Sequence, residues 1–274
     1  PINMSTLLPR PPLLAVATCL LSLSPLAAFA QTPAPQPSAP TVITPGFLTR
    51  TGVSIGLAHL TAGDPRFNWA ARFRGDIDVA DYGKGRLNMF GEYDAVFGSE
   101  RRIFDLNHEN YTIDISSTLR AGTSEFFGVI HHVSRHLTDR LNTRAIAWNS
   151  IGAAAQRTFT RGDTSGRVRF DLARVFQHTY TDYTWTAWLT TEADRKVGSR
   201  VIAYAKANGG FQGVDPAIAH RDRLCGARLE AGTHIVGLKG GADIYLAYER
   251  RIDAYPLSYQ RGRWVEWGFR IGTR

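Results

Sequence analysis

The sequence predicts an all-β fold, a single antiparallel transmembrane β-barrel of about 12 strands. The first observation is an alternation between residues 66 and 81, where apolar side chains take the odd positions and Asn, Arg and Asp take most even ones. Successive side chains of a strand point to opposite faces, so this stretch has one apolar and one charged face. It also exceeds the roughly 5–6 residues of an ordinary strand. Long alternating strands are typical of barrels that cross a membrane.

The second observation is that the alternation recurs almost to the end of the chain. It is clear at 86–97, 110–120, 167–172, 182–190, 242–249 and 265–271, and weaker strands fit 50–60, 124–134, 143–155, 199–207 and 222–233. The total is about twelve, an even number, as single-chain bacterial barrels have. A soluble β-sandwich would alternate too, but the strand length, the charges of both signs and the aromatic residues near strand ends favour the membrane barrel.

The third observation is the N-terminal segment, which predicts export. Residues 1–30 are expected to be a signal peptide, with 1–3 as read-through before Met4, Arg10 as the positive region and residues 13–23 as the apolar region. Ala28 and Ala30 form a small-x-small cleavage site. Residues 31–46 are a Pro-rich leader, and residues 47–274 are the predicted barrel. The predicted location is the outer membrane of a Gram-negative bacterium.

Composition excludes some other classes of protein. The formal net charge is +8, but the basic residues are spread along strands and connections, so we expect no nucleic-acid partner. After cleavage only Cys225 remains, which excludes an intramolecular disulfide. We expect the barrel assembly machinery as a partner, although the aromatic residue nearest the end, Phe269, lies just inside the C-terminus.

Connection lengths predict the orientation. We expect the longer connections outside the cell, at 99–106, 135–142, 208–221 and 252–261. We expect the short turns at 82–84 and 121–123 on the periplasmic side of the membrane. The segment 156–165 is expected to be a longer connection on the inner side.

The densest group of reactive side chains lies at residues 131–140, at the outer end of the predicted fifth strand. His132 and Ser134 are two residues apart and therefore share a face. A histidine within hydrogen-bond reach can activate a serine as a nucleophile, and a third polar group must orient the histidine.

These residues carry a resemblance. His132-x-Ser134 on a barrel strand resembles outer-membrane phospholipase A and, more loosely, the lipid A deacylases, both of which hydrolyse lipids in the outer membrane. Trp148-Asn149, on the predicted next strand, is similar to the Trp-Asn of the phospholipase. The resemblance implies His132 as base, Ser134 as nucleophile and Asn149 as orienting group, and Ca²⁺ as a cofactor only if the chain is such a phospholipase.

The same segment has a second resemblance and other interpretations. It is similar to the His-x-Ser-Ser-His-Leu-Gly-Asp-Glu signature of an uncharacterised exported family, which implies kinship without an activity. His132, His136 and Asp139 could converge on a divalent metal ion, but their spacing does not enforce this, and we expect no metal. A polar loop with hydrogen-bonded histidines stays open as well.

Charged residues on the inner faces of the strands form the other candidate site. The residues expected in the lumen are Arg72, Arg74, Asp76, Asp78, Glu92, Asp94, Arg167 and Arg169. A barrel of about twelve strands is narrower than the 16–18-stranded porins, so charges of both signs should pair and partly fill it. This favours a salt-bridged interior over a narrow selective channel.

Basic residues near the outer connections are candidates for binding lipid phosphates. Arg101, Arg102 and Arg135, with His136 and Asp139, are expected to meet outer-membrane lipid and lipopolysaccharide. The leading functional prediction is therefore an integral outer-membrane barrel with a charged, narrow or occluded lumen, in a structural or selective-channel role. The alternative is an outer-membrane lipid hydrolase that uses Ser134 and His132.

Overall fold

The computed structural model describes residues 45–137 and 146–273, which form a closed antiparallel barrel. Each strand pairs with its sequence neighbours, and the first strand pairs with the last, so no strand edge is left open among these residues. The strands are β1 (Gly46–Leu60), β2 (Trp69–Asp81), β3 (Arg86–Gly98), β4 (Asp105–Ala121), β5 (Ser124–His136), β6 (Ile146–Arg161), β7 (Thr164–Thr179), β8 (Tyr183–Lys196), β9 (Val201–Val214), β10 (Leu224–Val236), β11 (Gly241–Tyr255) and β12 (Gln260–Gly272). This confirms the predicted fold class and the strand number.

The strands have the length and the alternation that a membrane wall requires. They run from 13 residues in β2 to 17 in β4. On β4, Tyr111, Ile113 and Ile115 are exposed and alternate with polar residues. Exposed apolar side chains of the same kind occur on the other strands, among them Phe170 on β7. An apolar outer surface on a closed barrel is the structure of an outer-membrane barrel.

The two ends of the barrel differ. At the turn end, β4 joins β5 through residues 122–123 and β6 joins β7 through residues 162–163, with Gly122 and Gly162 at positive φ. At the loop end, longer connections lie at 61–68, 99–104 and 215–223, the last containing the short helix α1 (Pro216–Ala219). A 3₁₀ turn (Pro256–Ser258) joins β11 to β12 there. Because short turns face the periplasm in such barrels, the loop end faces outward.

Three details differ from the sequence-based expectations. Residues 156–165 are not a long connection, because β6 and β7 continue to a two-residue turn. Residues 208–214 belong to β9, so the connection that follows begins at residue 215. Phe67 does not continue the outward row of β2, since it lies in the first connection, is 2% exposed and stacks on Trp264.

The interior near the loop end contains two apolar clusters. Leu60, Phe67, Val96 and Trp264 belong to one cluster. Val133, Trp148, Val175, Tyr183 and Leu224 form the other. Both lie at strand ends near the loops, so the apolar interior is concentrated at that end of the barrel.

Across residues 45–137 and 146–273, no helix combines the length and the apolar composition that crossing a membrane would need.

Candidate functional site: a paired interior and a polar patch on the wall

The middle of the barrel interior contains a buried guanidinium, Arg72 on β2. Its two terminal nitrogens donate to the Glu266 carboxylate on β12 at 2.8 and 3.0 Å, and its Nε donates to Asp94 on β3 at 3.2 Å. Glu266 is fully buried. A buried charge is tolerated only when it is paired and hydrogen-bonded, which is the arrangement here.

Other ion pairs cross the interior between strands that are not neighbours. Arg251 on β11 donates to Asp94 on β3 at 3.0 Å. Arg228 on β10 donates to Glu266 at 2.5 Å and to Glu249 at 3.1 Å. These contacts join strands across the interior of the barrel as well as neighbouring strands.

A second buried cluster lies near the loop end. Arg221, in the connection 215–223, donates to Asp182 at 2.6 Å and to Asp253 at 2.7 and 2.9 Å. Tyr183 donates its hydroxyl to Asp253 at 2.6 Å, and the guanidinium of Arg221 lies 4.0 Å from the ring of Tyr259. Burial by itself would lower the pKa of Arg221, but the hydrogen bonds to the two carboxylates outweigh it and raise that pKa. The connection 215–223 is therefore tied to the rest of the barrel through the ion pairs of Arg221 with Asp182 and Asp253.

The half of the interior near the turn end is less filled. A cavity of about 600 Å³ lies there, lined by charged residues of several strands, with Arg74, Lys206, Asp243 and Arg270 among them. Most of these charges are already paired: Arg270, for example, donates to Asp243 at 3.0 Å. The interior thus holds a cavity in one half and a packed network above it.

The other residues expected in the lumen also make ion pairs. Arg50 donates to Asp76 at 2.7 Å and to Asp78 at 3.0 Å. Arg167 pairs with Glu192 at 2.8 Å. The remaining pairs join Arg74 to Glu92 and Arg169 to Asp171.

The reactive group at the end of β5 lies on the opposite, outer face of the wall. Val133 is buried, and Arg135 donates to the carbonyl of Asp253 on β11, so both point inward. His132, Ser134 and His136 alternate with them and therefore point outward. This places the predicted nucleophile on the surface that meets lipid.

Hydrogen bonds on this face form two separate pairs. Ser134 Oγ lies 2.8 Å from His136 Nε2. His132 Nδ1 lies 2.7 Å from Asn149 Oδ1, and Asn149 Nδ2 donates to Gln177 at 2.8 Å. The structure thus brings His132 and Asn149 together, as the resemblance implied. Ser134, however, forms its hydrogen bond with His136 and not with His132.

The remaining candidate residues occupy different surroundings. Arg101 and Arg102 lie in the connection 99–104 and are exposed, whereas Arg135 is directed into the barrel, with its guanidinium 5.1 Å from the Trp148 ring. Asp139 lies outside the described residues. Within the described ranges, no group of three or more His, Cys, Asp or Glu side chains could hold a metal ion.

Sequence reasoning missed the carboxylates that close the loop end, Asp182 and Asp253, and their partner Arg221. Asp182 stands in a connection, and Asp253 is offset by an irregularity in the pairing of β11 with β12. Asp253 does not fit a regular alternation, and Asp182 lies one residue before β8 begins. Only the register of distant strands brings the three side chains together, so no local signal could have identified them.

No protein-family model matches the chain, and no curated protein matches it. Among solved structures, the KdgM porin aligns with a TM-score of 0.47 and 6% identity, over 81% of this chain and 98% of that one. OmpT of Vibrio cholerae aligns with a TM-score of 0.43 and 11% identity, over 81% and 95%. The β domain of the Bordetella autotransporter BrkA aligns with a TM-score of 0.40 and 12% identity, over 81% and 96%.

Proposed function

We propose that this chain is an outer-membrane barrel whose charged lumen is occluded, so that it does not act as a general diffusion pore. The observation that carries the proposal is the set of ion pairs spanning the interior, in which Arg251 on β11 reaches Asp94 on β3 at 3.0 Å. Arg221 with its two buried carboxylates covers the loop end above them.

The energetic cost of separating the interior ion pairs supports a lumen that stays filled in its middle. Opening the middle of the barrel would separate buried opposite charges that stabilise one another in a low-dielectric interior. Breaking one such buried pair costs about 3–5 kcal/mol. A twelve-stranded barrel also has less interior width than open porins. We therefore expect the interior to support the wall.

Conductance of purified, refolded protein in a planar bilayer tests this proposal. We expect no current steps under a voltage and ionic strength at which an open porin, reconstituted as a control, conducts. Stable steps from the wild-type barrel would overturn occlusion and favour a selective channel.

We propose a second candidate function, hydrolysis of an outer-membrane lipid. The observation that favours it is the Ser134–His136 hydrogen bond of 2.8 Å on the membrane-facing wall. A serine hydroxyl within hydrogen-bond distance of an imidazole nitrogen has a candidate base beside it, which is the first requirement for a nucleophile. Polar groups on a lipid-facing surface are costly for a barrel and need a reason.

Turnover assays test the second candidate. Refolded protein should release fatty acid from phospholipid or lipid A in the presence of calcium, and Ser134→Ala should abolish the release. If wild-type protein releases no fatty acid from either lipid, this function is contradicted, and the occluded barrel remains.

A further inference from the structure

The cavity at the turn end of the barrel is bounded by residues that lie next to two of the periplasmic connections. Thr160 and Ser165 lie beside the turn 162–163, and His234 and Gly241 lie beside the connection 237–240. The volume of about 600 Å³ falls within the range of small-molecule sites, roughly 300–1,000 Å³. Because the turn end faces the periplasm, a periplasmic solute meets this cavity first.

Most charged side chains that line the cavity already pair with a residue of opposite charge. Arg270, for example, donates to Asp243 at 3.0 Å. The other paired members of the lining are Arg74, Arg167, Glu192 and His234. Since these groups compensate one another, they do not by themselves require a ligand.

Two charged residues of the lining are left over, and they have opposite signs. They are Asp194 on β8 and Lys206 on β9. Across residues 45–137 and 146–273, neither side chain forms an ion pair or a hydrogen bond with another residue. The ammonium of Lys206 lies 5.3 Å from the centre of the Tyr204 ring. Tyr204 is the Cα partner of Asp194, so the two charged residues are diagonal neighbours with Cα atoms roughly 7–8 Å apart.

The two leftover charges select against simple ions. A charge in a confined space is stabilised when an opposite charge and its hydrogen bonds replace part of its hydration. An anion placed on Lys206 would also meet the carboxylate of Asp194, and a cation placed on Asp194 would meet the ammonium of Lys206. A molecule that carries both an ammonium and a carboxylate compensates both residues at once.

The uncharged part of the lining suits a peptide unit between those two charges. Serine and threonine residues of several strands line the cavity, among them Ser54, Thr158 and Ser165. A hydroxyl group can donate or accept a hydrogen bond, and a peptide unit offers one donor and one acceptor. The separation of the two charged residues also leaves room for such a unit between them.

We propose that the cavity binds a short peptide with free ends, whose carboxylate pairs with Lys206 and whose ammonium pairs with Asp194. The ligand reaches the site from the periplasm. This site goes beyond the occlusion of the lumen and does not depend on it, because the cavity lies on the periplasmic side of the interior ion pairs. With the lumen closed, the peptide is bound rather than passed through the membrane.

Calorimetric titration of the refolded chain in detergent tests the ligand class. The probe is the dipeptide alanyl-alanine. Its matched controls are N-acetyl-alanyl-alanine, which lacks the ammonium, and alanyl-alanine amide, which lacks the carboxylate. We expect the dipeptide to bind and each capped form to bind roughly 10- to 100-fold more weakly, the scale of a hydrogen bond to a charged group. Free alanine, which has both charges but no peptide unit, should bind more weakly than the dipeptide.

Substitutions assign each end of the ligand. Lys206→Met should bind the dipeptide and its amide equally, since the cation that distinguishes them is gone. Asp194→Asn should likewise bind the dipeptide and its acetylated form equally. Lys239→Met and Asp163→Asn are the matched controls and should leave every affinity unchanged, because both side chains are exposed in connections at the same end and do not line the cavity. Resistance to unfolding in detergent at room temperature verifies that each variant is folded.

Four results would overturn the site. The first is no binding of the dipeptide to the wild-type chain. The second is binding that amidation weakens and acetylation does not, which would make the cavity an anion site. The third is equally tight binding of free alanine, which would exclude the peptide class. The fourth is an equal loss for all ligands in Lys206→Met and Asp194→Asn, which would show that the two residues only maintain the cavity. Closure of the lumen is measured separately, by bilayer conductance.

Discussion

The inner and outer faces of β5 differ in what their polar groups contact. On the inner face, His131 pairs with Asp114, and Arg135 donates to the Asp253 carbonyl at 3.0 Å. On the outer face, Ser134 Oγ lies 2.8 Å from His136 Nε2, and the His136 ring packs edge-on against Tyr111. The charged pairs of β5 thus lie inside the barrel, whereas its outer face carries a small patch of polar side chains near the loop end.

The same contrast holds for the barrel as a whole. Buried carboxylates such as Glu266 accept hydrogen bonds from two guanidiniums at once. The outer polar patch is small and local. Substitutions inside should therefore alter stability and closure, whereas substitutions on the patch should alter reactivity.

The largest effect is expected from Glu266→Ala. It leaves Arg72 and Arg228 without their shared buried carboxylate and should lower the free energy of unfolding by about 3–5 kcal/mol. Urea unfolding in lipid vesicles measures this. The matched control is Glu192→Ala, whose partner Arg167 is 46% exposed, and it should cost less than about 1 kcal/mol. Equal costs for the two variants would contradict the view that the interior pairs hold the barrel closed.

The next effect is expected from Arg221→Ala. Asp182 and Asp253, 0% and 2% exposed, would lose their cation. Unpaired buried carboxylates repel each other, so the connection 215–223 should detach and become a site of rapid proteolytic cleavage. Arg223→Ala, whose side chain contacts the Phe211 ring at 5.5 Å, is the control and should leave the cleavage rate unchanged. A resistant Arg221→Ala barrel would show that the cover does not depend on this cluster.

A smaller effect of opposite sign is expected on the wall. Replacing the pair by apolar residues, Ser134→Ala with His136→Leu, should raise the free energy of unfolding by about 0.5–2 kcal/mol, since functional polar groups are commonly retained at a cost in stability. The same urea titration checks it. Destabilisation by more than about 1 kcal/mol would instead indicate that the hydrogen bond is structural.

The smallest effect concerns the first connection. A hydrogen bond from Arg66 lowers the pKa of Asp64. Because the folded pKa lies below the unfolded value of about 3.9, the stabilisation is present above that pH and is lost as the pH falls through the folded pKa. At pH 7, the free energy of unfolding of the wild-type protein should exceed that of Asp64→Asn by no more than about 1 kcal/mol. The urea midpoints of the two proteins should converge below about pH 4, and a difference that persists there would contradict this.

The sequence was sufficient to predict the wall, because alternation is a local property of each strand. Tyr111, Ile113 and Ile115 face outward as their spacing required. Phe67 broke the pattern because the chain leaves the sheet before Trp69, which periodicity alone does not reveal.

The candidate site was only partly predictable. His132 and Asn149 are Cα partners on neighbouring strands, and a prediction of consecutive strands was enough to place them together. The buried clusters depend on the stagger between strands, which is a property of the closed barrel rather than of any segment. For the same reason Glu266 and Arg251 could not be recognised as partners of residues near the start of the chain.

The central claim is that the lumen is closed between the turn-end cavity and the loop end, and the accessibility of a cysteine in that cavity tests it most directly. In a Cys225→Ser background, Lys206→Cys places one thiol in the cavity near the turn end. In vesicles where all barrels insert in one direction, a small charged thiol reagent should modify this cysteine when added on the turn side and not when added on the loop side. Modification at equal rates from both sides would mean that the lumen is open, and would contradict the account.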